Sequence, residues 1–117
     1  MLSHALEEGV LVITVHQEPG IDGRAELIDK IGGLIHAYRS APVVVVLDEA
    51  AVGGTVISVI LRTHRLCDSL GVLMSVATQS APVRRLLEAG MGAGLTHLVI
   101  HARADIAVSA AALAAAA

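Results

Sequence analysis

The hydrophobic pattern of this chain changes period several times, and each change marks an element. Val10 to His16 (VLVITVH) reads as a strong strand. Residues 2–7 form a weaker one, and a Glu8-Gly9 turn between them makes a hairpin. Gln17 to Gly23 reads as a loop punctuated by Pro19, Gly20 and Gly23. From Arg24 to Arg39 the apolar positions Leu27, Ile28, Ile31, Leu34, Ile35 and Tyr38 follow a helical stripe, ended by Ser40-Ala41-Pro42. Within it, Gly32 and Gly33 each cost about 1 kcal/mol relative to Ala or permit close packing.

The stretch Val43 to Leu70 organises the rest. Its four valines and Leu47-Asp48 lack alternation, which suits a strand covered on both faces of a parallel or mixed sheet. A glycine-rich turn, Gly53-Gly54-Thr55, then opens a helix at the strand's carboxyl edge, where open α/β sheets place their sites. Thr55 suits the N-cap. At 100° per residue, Val56, Val59, Ile60, Thr63, Leu66, Cys67 and Leu70 share one arc. Ser58, Arg62, Arg65, Asp68 and Ser69 fall opposite, and Ile57 and Leu61 land among the polar residues with His64. Two exposed aliphatics one turn apart could anchor a protein contact, although scattered surface aliphatics are ordinary.

Gly71 is a plausible C-cap, and Val72 to Thr78 the next strand. Ser80 is placed to cap a helix with Pro82 in its first turn, running to Glu88 or Ala89, and Gly90, Gly92 and Gly94 stop it. Leu95 to His101 is the last strand. From Ala102 a closing helix follows, whose alanine-rich end, roughly 108–117, is expected to fray. The expected fold is a single α/β domain over 1–117, in the order ββαβαβαβα.

Composition narrows the chemistry. The chain is 55% hydrophobic, with one Tyr and neither Phe nor Trp, so it offers no aromatic platform for stacking bases or sugars. A net charge of −3 with dispersed basic residues argues against nucleic acid. A single cysteine fits a reducing cytoplasm. Glu7-Glu8 interrupts the start too early for a signal peptide, and no apolar run approaches the ~20 residues of a membrane span. A cytoplasmic protein is expected.

No catalytic motif emerges. VVVVLDEA looks like a Walker B strand, but the only lysine, Lys30, lies inside a helix and no phosphate loop accompanies it. Asp48 and Glu49 are better read as strand-end residues. The Gly53–Thr55 turn could form a small anion nest, yet turn geometry alone accounts for its glycines. His97 and His101 share a strand face about 13 Å apart, too far for one metal. Cys67 falls on the buried arc as an inert thiol. No Ser/His/Asp or paired-carboxylate arrangement can be assembled from the sequence, so no enzyme, cofactor or metal is expected.

The pattern from about Val10 to Ala107 resembles STAS domains, the fold of anti-sigma-factor antagonists in bacterial partner switching. The likeness is strongest in VVVVLD at 43–48 followed by ILRTHR at 60–65 and Gly71, similar to the family's "VVLDLS…LLRLHR…G". It recurs in SAPVRRLLEAGMG at 80–92, similar to "SPAVRRVLELTGL". Asp22, in the loop before the first helix, resembles the aspartate of the family's "GELD" turn, without the Gly and Leu before it.

The resemblance implies a mixed sheet with helices mainly on one face, and a function of binding a protein, typically a GHKL-type anti-sigma kinase. It also implies a switch: a serine in D-S-S-G at the start of the second helix, whose phosphorylation adds nearly two negative charges and breaks the complex. Here the segment between Asp48 and Leu61 is about three residues shorter than usual. With Ile60-Leu61-Arg62 in register, D-S-S-G falls on Gly53-Gly54-Thr55-Val56, and the phosphoserine position is Gly54. Glycine cannot be phosphorylated. Loss of the switch is favoured over its transfer to Thr55, the nearest hydroxyl.

Three functions follow as expectations. The first is a regulatory antagonist-like module that contacts its partner through Gly53, Gly54, Thr55, Ile57, Ser58, Leu61, His64 and Arg65. The second is a degenerate STAS domain acting in self-association, as a homodimer or within a larger regulatory assembly. The weakest is nucleotide or small-molecule binding at the Gly53–Thr55 turn.

Overall fold

The computed structural model describes residues 2–51, 53–90 and 98–116. The elements are β1 (Leu2–Glu7), β2 (Val10–Val15), α1 (Gly20–Ala37), β3 (Val43–Leu47), α2 (Gly54–Leu70), β4 (Met74–Thr78), α3 (Ala81–Ala89), β5 (Val99–His101) and α4 (Ala104–Ala116). This is the ββαβαβαβα order expected. Val52, Met91, Gly92, Gly94 and residues 95–97 of the expected last strand, including His97, lie outside the described residues.

The five strands pair in sequence order, β1-β2-β3-β4-β5. β1 is antiparallel to β2, and every later pair is parallel, so the sheet is mixed. The β1–β2 turn carries Glu8 at φ 53 and Gly9 at φ 78, the two positive angles a type I′ hairpin demands. β1 is one of the two edge strands among the described residues, exposed from Ser3 to Glu7.

Pleat parity sorts the side chains between two layers. Leu11, Ile13, Val15, Val43, Val45, Leu47 and Val76 meet Leu27, Ile31 and Ile35 of α1, Val56, Val59 and Ile60 of α2, and Val83 and Leu87 of α3. The other face, with Val10, Val12, Val44 and Ala77, is covered by Ala107 and Val108 of α4. That double cover is why the valine run shows no alternation. It also carries α4 to Ala116 in helical form, where fraying was expected from Val108 on. Alanines at 111 and 112 pack against the same layer, so they have a tertiary reason to stay helical.

Several boundaries differ from the sequence reading. α1 begins at Gly20, four residues before Arg24, so Asp22 sits in its first turn and not in a loop. Pro19 has no N–H to leave unsatisfied, and Asp22 complements the positive end of the helix dipole; both suit a helix start. β4 begins at Met74 because Val72 is used elsewhere. Its N–H bonds the Cys67 carbonyl at 2.9 Å, while Gly71 takes the left-handed conformation (φ 69), a Schellman closure of α2. Ser80 caps α3 as read, its Oγ accepting from the Val83 N–H at 3.3 Å.

Candidate functional site

Two places at the carboxyl edge of the sheet bring functional groups together. The first is the start of α2. Gly53 occupies the N-cap in extended conformation with no side-chain cap, so Thr55 is not the cap the sequence suggests. The cap comes from outside the helix. Glu18, in the β2–α1 loop, accepts a hydrogen bond from the Val56 N–H through Oε1 at 3.1 Å. Its own N–H bonds the Ala50 carbonyl at 3.1 Å, which ties the two loops.

Gly53 is required by this arrangement. A Cβ there would overlap Glu18 Oε2 and lie 2.6 Å from Cδ. At Gly54 a Cβ meets nothing within 4 Å, and the residue is exposed. The anion this helix end could hold is therefore already supplied by the chain. A phosphate binding there would have to displace Glu18.

The remaining predicted contact residues do not form one exposed face. Gly53, Thr55 and Ser58 are half-buried and Arg65 is exposed. Ser58 Oγ accepts from Arg24 of α1, at 3.1 Å from Nε and 2.8 Å from Nη2, so it braces two helices. Ile57 and Leu61 are half-buried against the main core and do not make the exposed pair the helical wheel gives. Leu61 Cδ1 comes so near Gly90 that a Cβ there would lie 2.7 Å away. His64 is 4% exposed, which removes it from any docking surface. It lines a cavity of about 370 Å³ with Asp68, Ser75, Val99 and His101.

Helical periodicity placed these three on the polar arc because it counts one neighbour, the sheet. The end of α3 packs on Leu61 as well, the main core takes in Ile57, and His64 faces a cavity walled by β4, β5 and α4. The exposed aliphatic of the segment that caps the turn is instead Ile21, 87% exposed in the first turn of α1 and three residues after Glu18. Pro19, Gly20 and Gly23 give 17–23 the look of a loop in sequence, where Ile21 carries no helical signal.

The second place is the ends of β2 and β3. The parallel register Thr14↔Val46 and Val15↔Leu47, continued one step, sets His16 beside Asp48 on the α4 face. His16 Nδ1 lies 2.6 Å from Asp48 Oδ2, and His16 Nε2 lies 2.8 Å from Ser3 Oγ. Ser3 reaches it because β1 pairs Ser3 with Thr14, two residues before His16 and on the same face, so Ser3 and His16 are diagonal neighbours. No Ser/His/Asp set is visible in the sequence. This one spans three strands and has no spacing signature. Asp48 does occupy a strand end, as expected.

Cys67 is buried, and desolvation pushes its thiol up to about 11, so it is unreactive at neutral pH. Among the described residues no group of three His, Cys, Asp or Glu could hold a metal ion, and no helix is long and apolar enough to cross a membrane. Comparison with models of known protein families gives no match, and none of the curated proteins is similar to the chain.

Proposed function

We propose that this chain is a regulatory protein-binding module of the STAS type, akin to the anti-sigma-factor antagonists. It docks a partner, a GHKL-type anti-sigma kinase, through the start of α2, and it has lost the usual phosphoserine switch. The observation that carries this reading is the α2 turn itself. Gly54 lies open at the surface, Ile21 is exposed three residues after the capping Glu18, and, among the described residues, the clefts beside His16, His64 and Tyr38 are not lined by Gly53, Gly54 or Thr55. A turn braced by Glu18 and Arg24, with an exposed aliphatic three residues after the bracing Glu18, suits recognition by a protein surface. The sequence likeness in 43–48, 60–65 and 80–92 supplies the partner class. A cytoplasmic setting and the absence of a cofactor belong to the same reading.

The test is calorimetry of the purified chain against GHKL-type kinases from the same cell. Binding that weakens at least about tenfold, 1.4 kcal/mol, on Ile21→Asp or Gly54→Asp supports the docking surface. Absence of binding to any of them sinks the reading. Self-association is the second reading, favoured by one feature: β1 is an unprotected edge with Leu6 56% exposed and no charge before Glu7. Light scattering separates the two, since a chain that stays monomeric at high concentration excludes an edge-to-edge homodimer.

A further inference from the structure

The Ser3–His16–Asp48 chain has an acceptor at one end, a hydroxyl at the other and an imidazole between them. Asp48, when ionised, can only accept, so the proton of the neutral ring resides on Nδ1 and Nε2 is left as a base facing Ser3 Oγ. That is the order of groups by which a serine is made nucleophilic: base on the hydroxyl, carboxylate on the base.

The edge position adds a second component. A two-residue hairpin makes Glu7↔Val10 a hydrogen-bonded pair, and alternation then makes Ser3↔Thr14 another. The backbone of β2 agrees: the Leu11 N–H and the Val15 carbonyl bond toward β3, with Pro42 and Asp48, and not toward β1. The N–H of His4 therefore points off the β1 edge of the sheet. It belongs to the residue after the serine, the position from which a backbone donor commonly receives a developing oxyanion. His16 and Asp48 also line an open cleft of about 970 Å³ with Thr78, Gln79 and Ser80; Ser3 is not among its lining residues, so an ester would reach the hydroxyl from the exposed β1 side.

We propose that Ser3 is a base-activated nucleophile that accepts an acyl group from an activated carboxylic ester. Ser3 Oγ bonds to the ester carbonyl carbon while its proton passes to His16 Nε2. The tetrahedral intermediate collapses by breaking the bond to the leaving alcohol's oxygen, and that oxygen takes the proton from Nε2. The products are acyl-Ser3 and the free alcohol, with no redox change. His16 is the base, and Asp48 is a positioning residue that holds the ring. This activity lies on the α4 face and does not rest on the docking reading.

The probe is p-nitrophenyl acetate on the full chain, read as nitrophenolate release and by peptide mass mapping. The expected result is one acetyl group per chain, on Ser3. Ser3→Ala abolishes it, and His16→Ala slows it roughly a hundredfold. Asp48→Asn slows it as well, whereas Asp48→Glu retains most of the rate, a rescue that a purely structural role would not give. All three side chains are exposed, so the variants should fold, and unchanged melting curves verify it. Acetylation that falls on Lys30 or the terminal amine instead, or that proceeds at the same rate in His16→Ala, overturns the proposal.

Discussion

The Glu18 carboxylate caps α2 from another loop, accepting from the Val56 N–H at 3.1 Å across 38 positions of sequence, and Gly53 is the residue that leaves room for it. The Gly53–Val56 turn, which lacks the serine and aspartate of a D-S-S-G motif, is thus shaped by an internal carboxylate.

Gly53→Ala should break this relationship. The new Cβ and the Glu18 carboxylate cannot share their space, so the cap is expelled at a cost of about 1–2 kcal/mol. Glu18→Ala removes the same cap. The double variant should then be less destabilised than the sum of the singles, as residues in one contact require. Urea denaturation of the four proteins checks it; strict additivity would falsify the coupling.

Gly54→Ser should be nearly neutral for folding, within about 0.5 kcal/mol, because its side chain enters open space. If the docking proposal holds, incubation with the partner kinase and ATP leaves the natural chain unmodified and adds one phosphate to Gly54→Ser. Phosphate appearing on Thr55 of the natural chain would show that the switch has moved and was not lost.

Ile21 and Leu61 should separate docking from stability. Leu61→Ala empties a contact with the core and the end of α3, and about 1–3 kcal/mol of stability goes with it. Ile21→Asp alters a side chain 87% exposed and should leave the unfolding midpoint in place while partner affinity falls. An Ile21→Asp chain that unfolds as early as Leu61→Ala would mean that Ile21 packs in solution.

Cys67 makes stability depend on alkaline pH. Its folded pKa is raised from about 9 to about 11 by burial, so its contribution is whole below pH 9 and is lost as pH rises to 11. The loss is on the order of 2–3 kcal/mol. Between pH 8.5 and 11 the melting temperature of the natural chain should fall more steeply than that of Cys67→Ala, and parallel curves would contradict the shift.

Local chemistry was legible in the sequence. The valine run announced a strand covered twice, Gly71 the left-handed end of α2, Ser80 the cap of α3, and Glu8-Gly9 the hairpin; each depends on neighbours within a few residues. The element order followed from those signals. What the sequence could not decide were contacts set by register and by a third layer. Leu61 and His64 read as surface because the helical wheel contains no α3 or distant cavity wall, and α1 read four residues short because its proline and glycine resemble loop punctuation.

Glu18 reached Val56, and Ser3 and Asp48 reached His16, only once the strands had paired. Which residues stand side by side across a sheet is fixed by hydrogen-bond register and pleat parity between segments tens of residues apart. A linear spacing holds no trace of that, so the candidate nucleophile and the true cap of α2 were decided by the tertiary structure alone.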